Sequence, residues 1–203
     1  MHITFLRHGR SRADDEGVHE GRYDAPLTAT GREQAHRLAQ YWHARQPGFS
    51  RIVCSPLLRA HETAAILANV LGLELLTDSD WMEFDNGPLA GLKHDEALRK
   101  YPVPSSRGRF EPFTRDGGES EAAFHRRAGV AVERLVQYEG EHLLVVAHGG
   151  ILNAALRELT GGSRLWFEFG DTGFTTVKFN ASRDTLLVLG VNQQPHLAAD
   201  SVQ

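Results

Sequence analysis

Ile3-Thr4-Phe5-Leu6 runs directly into Arg7-His8-Gly9, and this stretch decides the fold. A short apolar run rich in β-branched and aromatic residues reads as a buried strand, and it stops at a guanidinium beside an imidazole. Two later segments repeat the pattern. Ile52-Val53-Cys54 leads into Ser55-Pro56-Leu57-Leu58-Arg59-Ala60, and Leu143-Leu144-Val145-Val146-Ala147 leads into His148-Gly149-Gly150. Continuous aliphatic runs of this kind suit strands covered on both faces, hence parallel strands of an α/β sheet. Ligands of such sheets bind beyond the carboxyl ends of the strands, so His8, Arg59 and His148 are expected to meet on one rim. Arg7 and Arg59 offer planar forks that match phosphoryl oxygens, and a neutral His can attack phosphorus. Helices that start at that rim would turn free amides toward a bound anion.

Composition agrees with one enzyme domain. The 203 residues carry a formal net charge of −4, which argues against a general nucleic-acid binder. Arg7, Arg10, Arg12 and Arg22 cluster within this acidic background and suggest a pocket for a small anion. Cys54 is the one cysteine, so no internal disulfide can form, in keeping with a reducing cytoplasm. No apolar stretch is long enough to cross a membrane, and the N-terminus lacks the basic and apolar regions of a signal peptide. The expected partner is a small phosphorylated substrate, with no nucleic acid and no membrane; a homodimer is left open.

Helical and strand patterns alternate without a linker or an internal repeat. After the first strand comes an irregular polar loop. Thr30 and Glu33 then read as a capping box for a helix with Ala35, Leu38, Ala39 and Trp42 on its apolar face, ended by Gln46-Pro47-Gly48. Ser55 reads as the N-cap of the next helix, with Pro56 at its first position and Gly72 at its stop. A short strand over Leu73 to Leu76 follows. Prolines at 88, 102, 104 and 112 break up the next part, which is read as a lid-like excursion at about 79–118 with a short helix near His94 to Tyr101. A long helix over about Glu119 to Tyr138, the strand at Leu143, a helix over Ile151 to Leu159 and strands over Phe174 to Phe179 and Leu186 to Val191 complete the chain. The alternation predicts a single domain over residues 1–203, a three-layer α/β/α sandwich on a doubly wound, mostly parallel sheet.

These motifs, in this order, resemble the histidine phosphatase superfamily, the group with the phosphoglycerate mutase fold. The resemblance is carried by Arg7-His8-Gly9 and by Gly21-Arg22-Tyr23-Asp24-Ala25-Pro26-Leu27-Thr28 with Gly31 and Ala35. It continues through Ser55 to Ala64, Glu83 with Gly87, Gly118-Glu119-Ser120 and His148-Gly149-Gly150, and ends with Asn192 and His196-Leu197. It implies a phosphomonoester hydrolase of the small phosphatase branch that works through a phosphohistidine on His8. Arg7, Arg59 and His148 would hold the phosphoryl oxygens, Arg22 and Gly149 would touch substrate, Glu119 would be a rim or capping residue, and Glu83 would be the general acid. Trp81, Met82 and Phe84 would give Glu83 an apolar setting. Neither a metal nor a cofactor is expected. Phosphoglycerate mutase-type transfer and a non-catalytic phosphoester-binding module are the alternatives.

The chain departs from the family pattern at Arg10, where relatives have an acidic or amide residue, at Asp14, where they have Asn, and at Ala90 before Gly91. An Asn of the later segment is also missing from Phe169-Gly170-Asp171-Thr172-Gly173. A carboxylate at Asp14 would repel a phosphoryl dianion, and Arg10, four residues earlier, is expected to neutralise it if the loop makes a helical turn. Other chemistries fail on spacing. A cysteine phosphatase needs five residues between Cys and Arg, and Cys54 and Arg59 enclose four. The chain also lacks His-Glu-x-x-His and a Walker motif.

Overall fold

A computed structural model describes residues 1–102, 106–180, 182–183 and 185–198 of the protein. Pro104, counted above among the breaks in the excursion, and residues 199–203 of the expected domain lie outside the described residues. Six strands, β1 (His2–Arg7), β2 (Arg51–Cys54), β3 (Leu75–Thr77), β4 (His142–Ala147), β5 (Phe174–Asn180) and β6 (Thr185–Gln193), form one sheet in the order β3-β2-β4-β1-β5-β6. The four strands from β3 to β1 run parallel, β5 runs antiparallel to β1, and β6 runs antiparallel to β5.

Along the central strands β1, β2 and β4 the alternation of side chains buries both faces. Ile3, Phe5, Val53, Leu143, Val145 and Ala147 point to one side, where helices α5 (Glu121–Leu135) and α6 (Gly149–Thr160) pack. Leu6, Ile52, Cys54, Leu144 and Val146 point to the other, against α2 (Ala29–Arg45) and α3 (Leu58–Leu71). Each fully buried aliphatic side chain contributes roughly 1.5–3 kcal/mol, so two apolar faces per strand hold the three layers together. The protein is thus an α/β/α sandwich on a mostly parallel sheet, and Ala35, Leu38, Ala39 and Trp42 of α2 are buried as expected.

Three local expectations need correction. The loop after β1 contains a short helix, α1 (Arg12–Glu16), because Ser11 and Asp14 form a reciprocal capping box. The cap of α2 is Thr28, not Thr30: its hydroxyl accepts from Gly31 N at 3.0 Å, and Glu33 takes no part. Helix α3 starts after Leu57 instead of Ser55. The Ser55 hydroxyl is engaged elsewhere, and Asp24 Oδ1 accepts from Leu58 N at 2.6 Å in its place. Among its described residues the segment from 79 to 118 holds two single turns at Ser79–Trp81 and Gly87–Leu89 and one helix, α4 (His94–Lys100).

Candidate active site

Strand register assembles the centre of the site. His8 N donates to Ala147 O at 3.0 Å, and Ser55 N donates to Val146 O at 3.0 Å, so the residues that follow β1, β4 and β2 lie side by side at their carboxyl ends. The rings of His8 and His148 are 5.1 Å apart, and His148 Nε2 is 2.8 Å from Ser55 Oγ. Arg59, the second residue of α3, enters from the facing layer with no exposed surface. Its terminal nitrogens donate to the carbonyls of Tyr23 and Gly21, both at 2.8 Å, and its Nε donates to His8 Nε2 at 3.2 Å. Gly9 permits this approach of layers: a Cβ there would lie 2.6 Å from the Gly31 carbonyl oxygen.

These contacts define the state of His8. A carbonyl can only accept and a guanidinium can only donate. His8 Nδ1 therefore carries the proton it gives to Gly9 O at 2.7 Å, and Nε2 presents its lone pair to Arg59. Burial, reinforced by the positive charge of Arg59 and Arg7, holds the His8 pKa well below its ordinary value. His148 is held low as well, by burial first and then by Arg59. Both rings are neutral at neutral pH.

Arg7 lies at the edge of this cluster. Its guanidinium donates to Phe169 O at 3.1 Å and lies 3.4 Å from both Asp14 Oδ1 and Asp171 Oδ1. Burial pushes the Asp171 carboxyl up against the pull of Arg7. The partner of Asp14 is therefore Arg7, not Arg10. Arg10 instead meets Asp15 at 2.7 Å, one residue further along α1, because the capping box turns the Asp14 carboxylate inward to Ser11. Glu20, which the sequence reading passed over, faces His8 Nε2 at 4.0 Å and Arg59 Nε at 3.8 Å and accepts from Ser11 Oγ at 2.6 Å.

Glu83 does not sit in the apolar setting expected for it. Trp81 is buried against Phe5, Phe84 packs on Phe113 and Phe124, and the Glu83 carboxylate accepts from the amides of Gly150 at 2.9 Å, Ile151 at 3.1 Å and Phe84 at 2.8 Å. The start of α6 thus anchors it, and any side chain at position 150 would collide with it. Arg127 fixes the strand of chain that bears Glu83, donating to the carbonyls of Asp80 and Met82 at 2.8 and 2.7 Å while it pairs with Glu119 at 2.7 Å. Asn153 clamps Phe167 through both ends of its amide and also donates to Gly149 O. Arg127 and Asn153 carry no local signature, because Arg127 bonds to the 80–83 segment and Asn153 to Phe167, outside their own helices. Arg22 stands apart, with its guanidinium 3.6 Å from Asp85.

A surface cavity of about 210 Å³ adjoins the cluster, lined by Arg7, Glu20, Glu83 and Gly149 on one side and by Trp166 and Glu168 on the other. A buried neutral imidazole whose Nε2 lone pair meets a guanidinium, beside a second guanidinium and a cavity that carries carboxyl groups, is a site suited to binding a small phosphorylated anion. The chain belongs to the histidine phosphatase superfamily (branch 1), whose family model matches residues 3–192. It is 31% identical to phosphoglycerate mutase-like protein 4 of Arabidopsis thaliana over 93% of this chain and 84% of the relative. It is 28% identical to phosphoserine phosphatase 1 of Hydrogenobacter thermophilus over 93% and 92% of the two chains. The mycobacterial glucosyl-3-phosphoglycerate phosphatase solved with VO3 superposes with a TM-score of 0.79 at 27% identity, covering 94% of this chain and 98% of its own.

Proposed function

We propose that the protein is a phosphomonoester hydrolase that acts on a small phosphorylated metabolite through a phosphohistidine on His8. The observation that carries this reading is the hydrogen-bond pattern of His8, with Nδ1–H on Gly9 O and the Nε2 lone pair free to attack once Arg59 Nε–H turns to a phosphoryl oxygen. In the first step a bond forms from Nε2 to phosphorus and the ester P–O bond breaks in line. Arg7, Arg59 and His148 stabilise the equatorial oxygens, Gly149 lines the same cavity, and Glu83 gives a proton to the departing alkoxide. In the second step Glu83 takes a proton from water, water oxygen bonds to phosphorus, and the N–P bond breaks to return His8 and release phosphate. No metal takes part in this scheme, and turnover should survive exhaustive chelation.

The test is to quench turnover of a ³²P-labelled aryl phosphate and measure label on the protein. Acid-labile, alkali-stable label on the wild type and none on His8→Ala supports the reading. Label that persists on His8→Ala, or turnover that stops on chelation and returns with a divalent ion, would sink it.

A further inference from the structure

The phosphoryl side of the site is cationic, but the cavity where the leaving group must lie is not. Among its lining residues Arg7 is the one cation, against the carboxyl groups of Glu20, Glu83 and Glu168. Arg7 already faces Asp14 and Asp171, and Glu168 makes no salt bridge among the described residues. Arg22, a cation that could have offset this wall, is turned to Asp85. A leaving group with a carboxylate of its own would therefore enter against the like charges of Glu20 and Glu168, beside a Glu83 that carries its proton. Trp166 supplies the other feature of the wall. The residue is 66% exposed although it lines the cavity, and Arg157, tethered by its Nε to Leu165 O at 2.7 Å, stacks its guanidinium 5.3 Å from the ring centroid. An aromatic ring held from one side and bare on the other is a stacking platform, and its negative π face favours planar or cationic groups.

We propose that this site selects phosphomonoesters whose alcohol is uncharged or cationic and carries a planar aromatic group, and that Glu168 and Trp166 set this preference. The inference rests on the phosphomonoesterase reading and deepens it, since it separates this chain from enzymes that must accept a phosphorylated carboxylic acid. A single like charge at the cavity wall changes relative binding by about 3- to 10-fold, and stacking on an exposed indole by about 2- to 10-fold.

The experiment compares kcat/KM for esters that differ in one property at a time. Phosphates of phenols with a 4-(2-aminoethyl), a 4-ethyl or a 4-(2-carboxyethyl) group vary charge, and benzyl against cyclohexylmethyl phosphate varies the ring at similar leaving-group basicity. The expected order is cationic, then neutral, then anionic, with about tenfold between the extremes, carried by KM and narrowed by salt. Glu168→Gln should shrink that gap about threefold, and Trp166→Ala should abolish a benzyl preference of about threefold. Because each readout is a ratio within one variant, a general loss of activity cancels. Equal turnover of the charge series, preference for the carboxylated ester, or ratios unmoved by both substitutions overturns the inference and leaves the hydrolase reading intact. No turnover of any ester overturns both.

Discussion

The cluster of His8, Arg59 and His148 stands on strand ends and a helix start inside the sandwich, whereas Trp166, Phe167 and Glu168 belong to the irregular segment between α6 and β5. In the first region the side chains themselves are buried, and short hydrogen bonds position them. In the second, Asn153 holds Phe167 and Arg157 holds Leu165, but the side chains that face the cavity are partly or largely exposed. In the proposed reaction, the groups that meet phosphorus are set in the packed layers of the sandwich, and the groups proposed to choose among alcohols are set where substitution disturbs no core. Glu83 and Arg127 lie at the boundary and test how far the two regions are separate.

The largest effect is expected from Glu83→Gln. It should slow hydrolysis of alkyl phosphates by about 10²- to 10⁴-fold and of aryl phosphates much less, since a good leaving group needs no proton. Equal losses in both series would make Glu83 a binding residue and move it into the outer region. Arg127→Met comes next. It strands the Glu119 carboxylate and three carbonyls of the segment that carries Glu83, and should cost about 3 kcal/mol in denaturant unfolding together with a fall in kcat. A stability loss without any change in turnover would show that the boundary does not transmit to the chemistry.

Acid should distinguish the regions without mutation. The folded-state pKa values of His8 and His148 lie well below 6.5, so as pH falls through 6.5 the unfolded chain takes up protons that the folded protein refuses. Stability contributed by the two neutral rings is therefore present above about pH 6.5 and is lost below it, by about 1.4 kcal/mol per pH unit for each ring until the folded values are reached. Unfolding midpoints measured from pH 7.5 to 5 check this, and His148→Gln should flatten the slope. The smallest effect belongs to Arg10→Ala. Its ion pair with Asp15 is exposed and Asp14 answers to Arg7, so vanadate affinity should stay within about twofold of wild type. A larger loss, recovered by a second change Asp14→Asn, would restore the coupling expected between these two positions.

The strand runs ending at His8, Ser55 and His148 were legible because β-branched and aliphatic residues bury on both faces only in a covered sheet, and the residue after each run is then placed by register. The caps were less so. Thr30 with Glu33 has the sequence of a capping box, but the bend from Leu27 brings Thr28 into position first, where its hydroxyl also donates to Arg10 O. Ser55 fits a helix start, yet its hydroxyl serves His148. Glu20, Arg127 and Asn153 escaped notice because each acts across the fold, and nothing in the neighbouring residues marks such a role. The surroundings of Glu83 were misjudged for a related reason. The aromatic side chains beside it pack elsewhere, and two of the three amides that hold it come from a helix that starts some 67 residues further on.

Cys54 ends β2 one residue before Ser55, fully enclosed between the sheet and α3. Burial pushes its thiol up to about 11, against a smaller opposite effect from Thr77. At neutral pH only about one molecule in 10⁴ carries the reactive thiolate, and even that one is out of reach of solvent. Alkylating reagents and mild oxidants will therefore ignore the native protein and mark each molecule whose sheet has opened. The chain carries its own clock for unfolding, wired to the strand from which the reaction centre hangs.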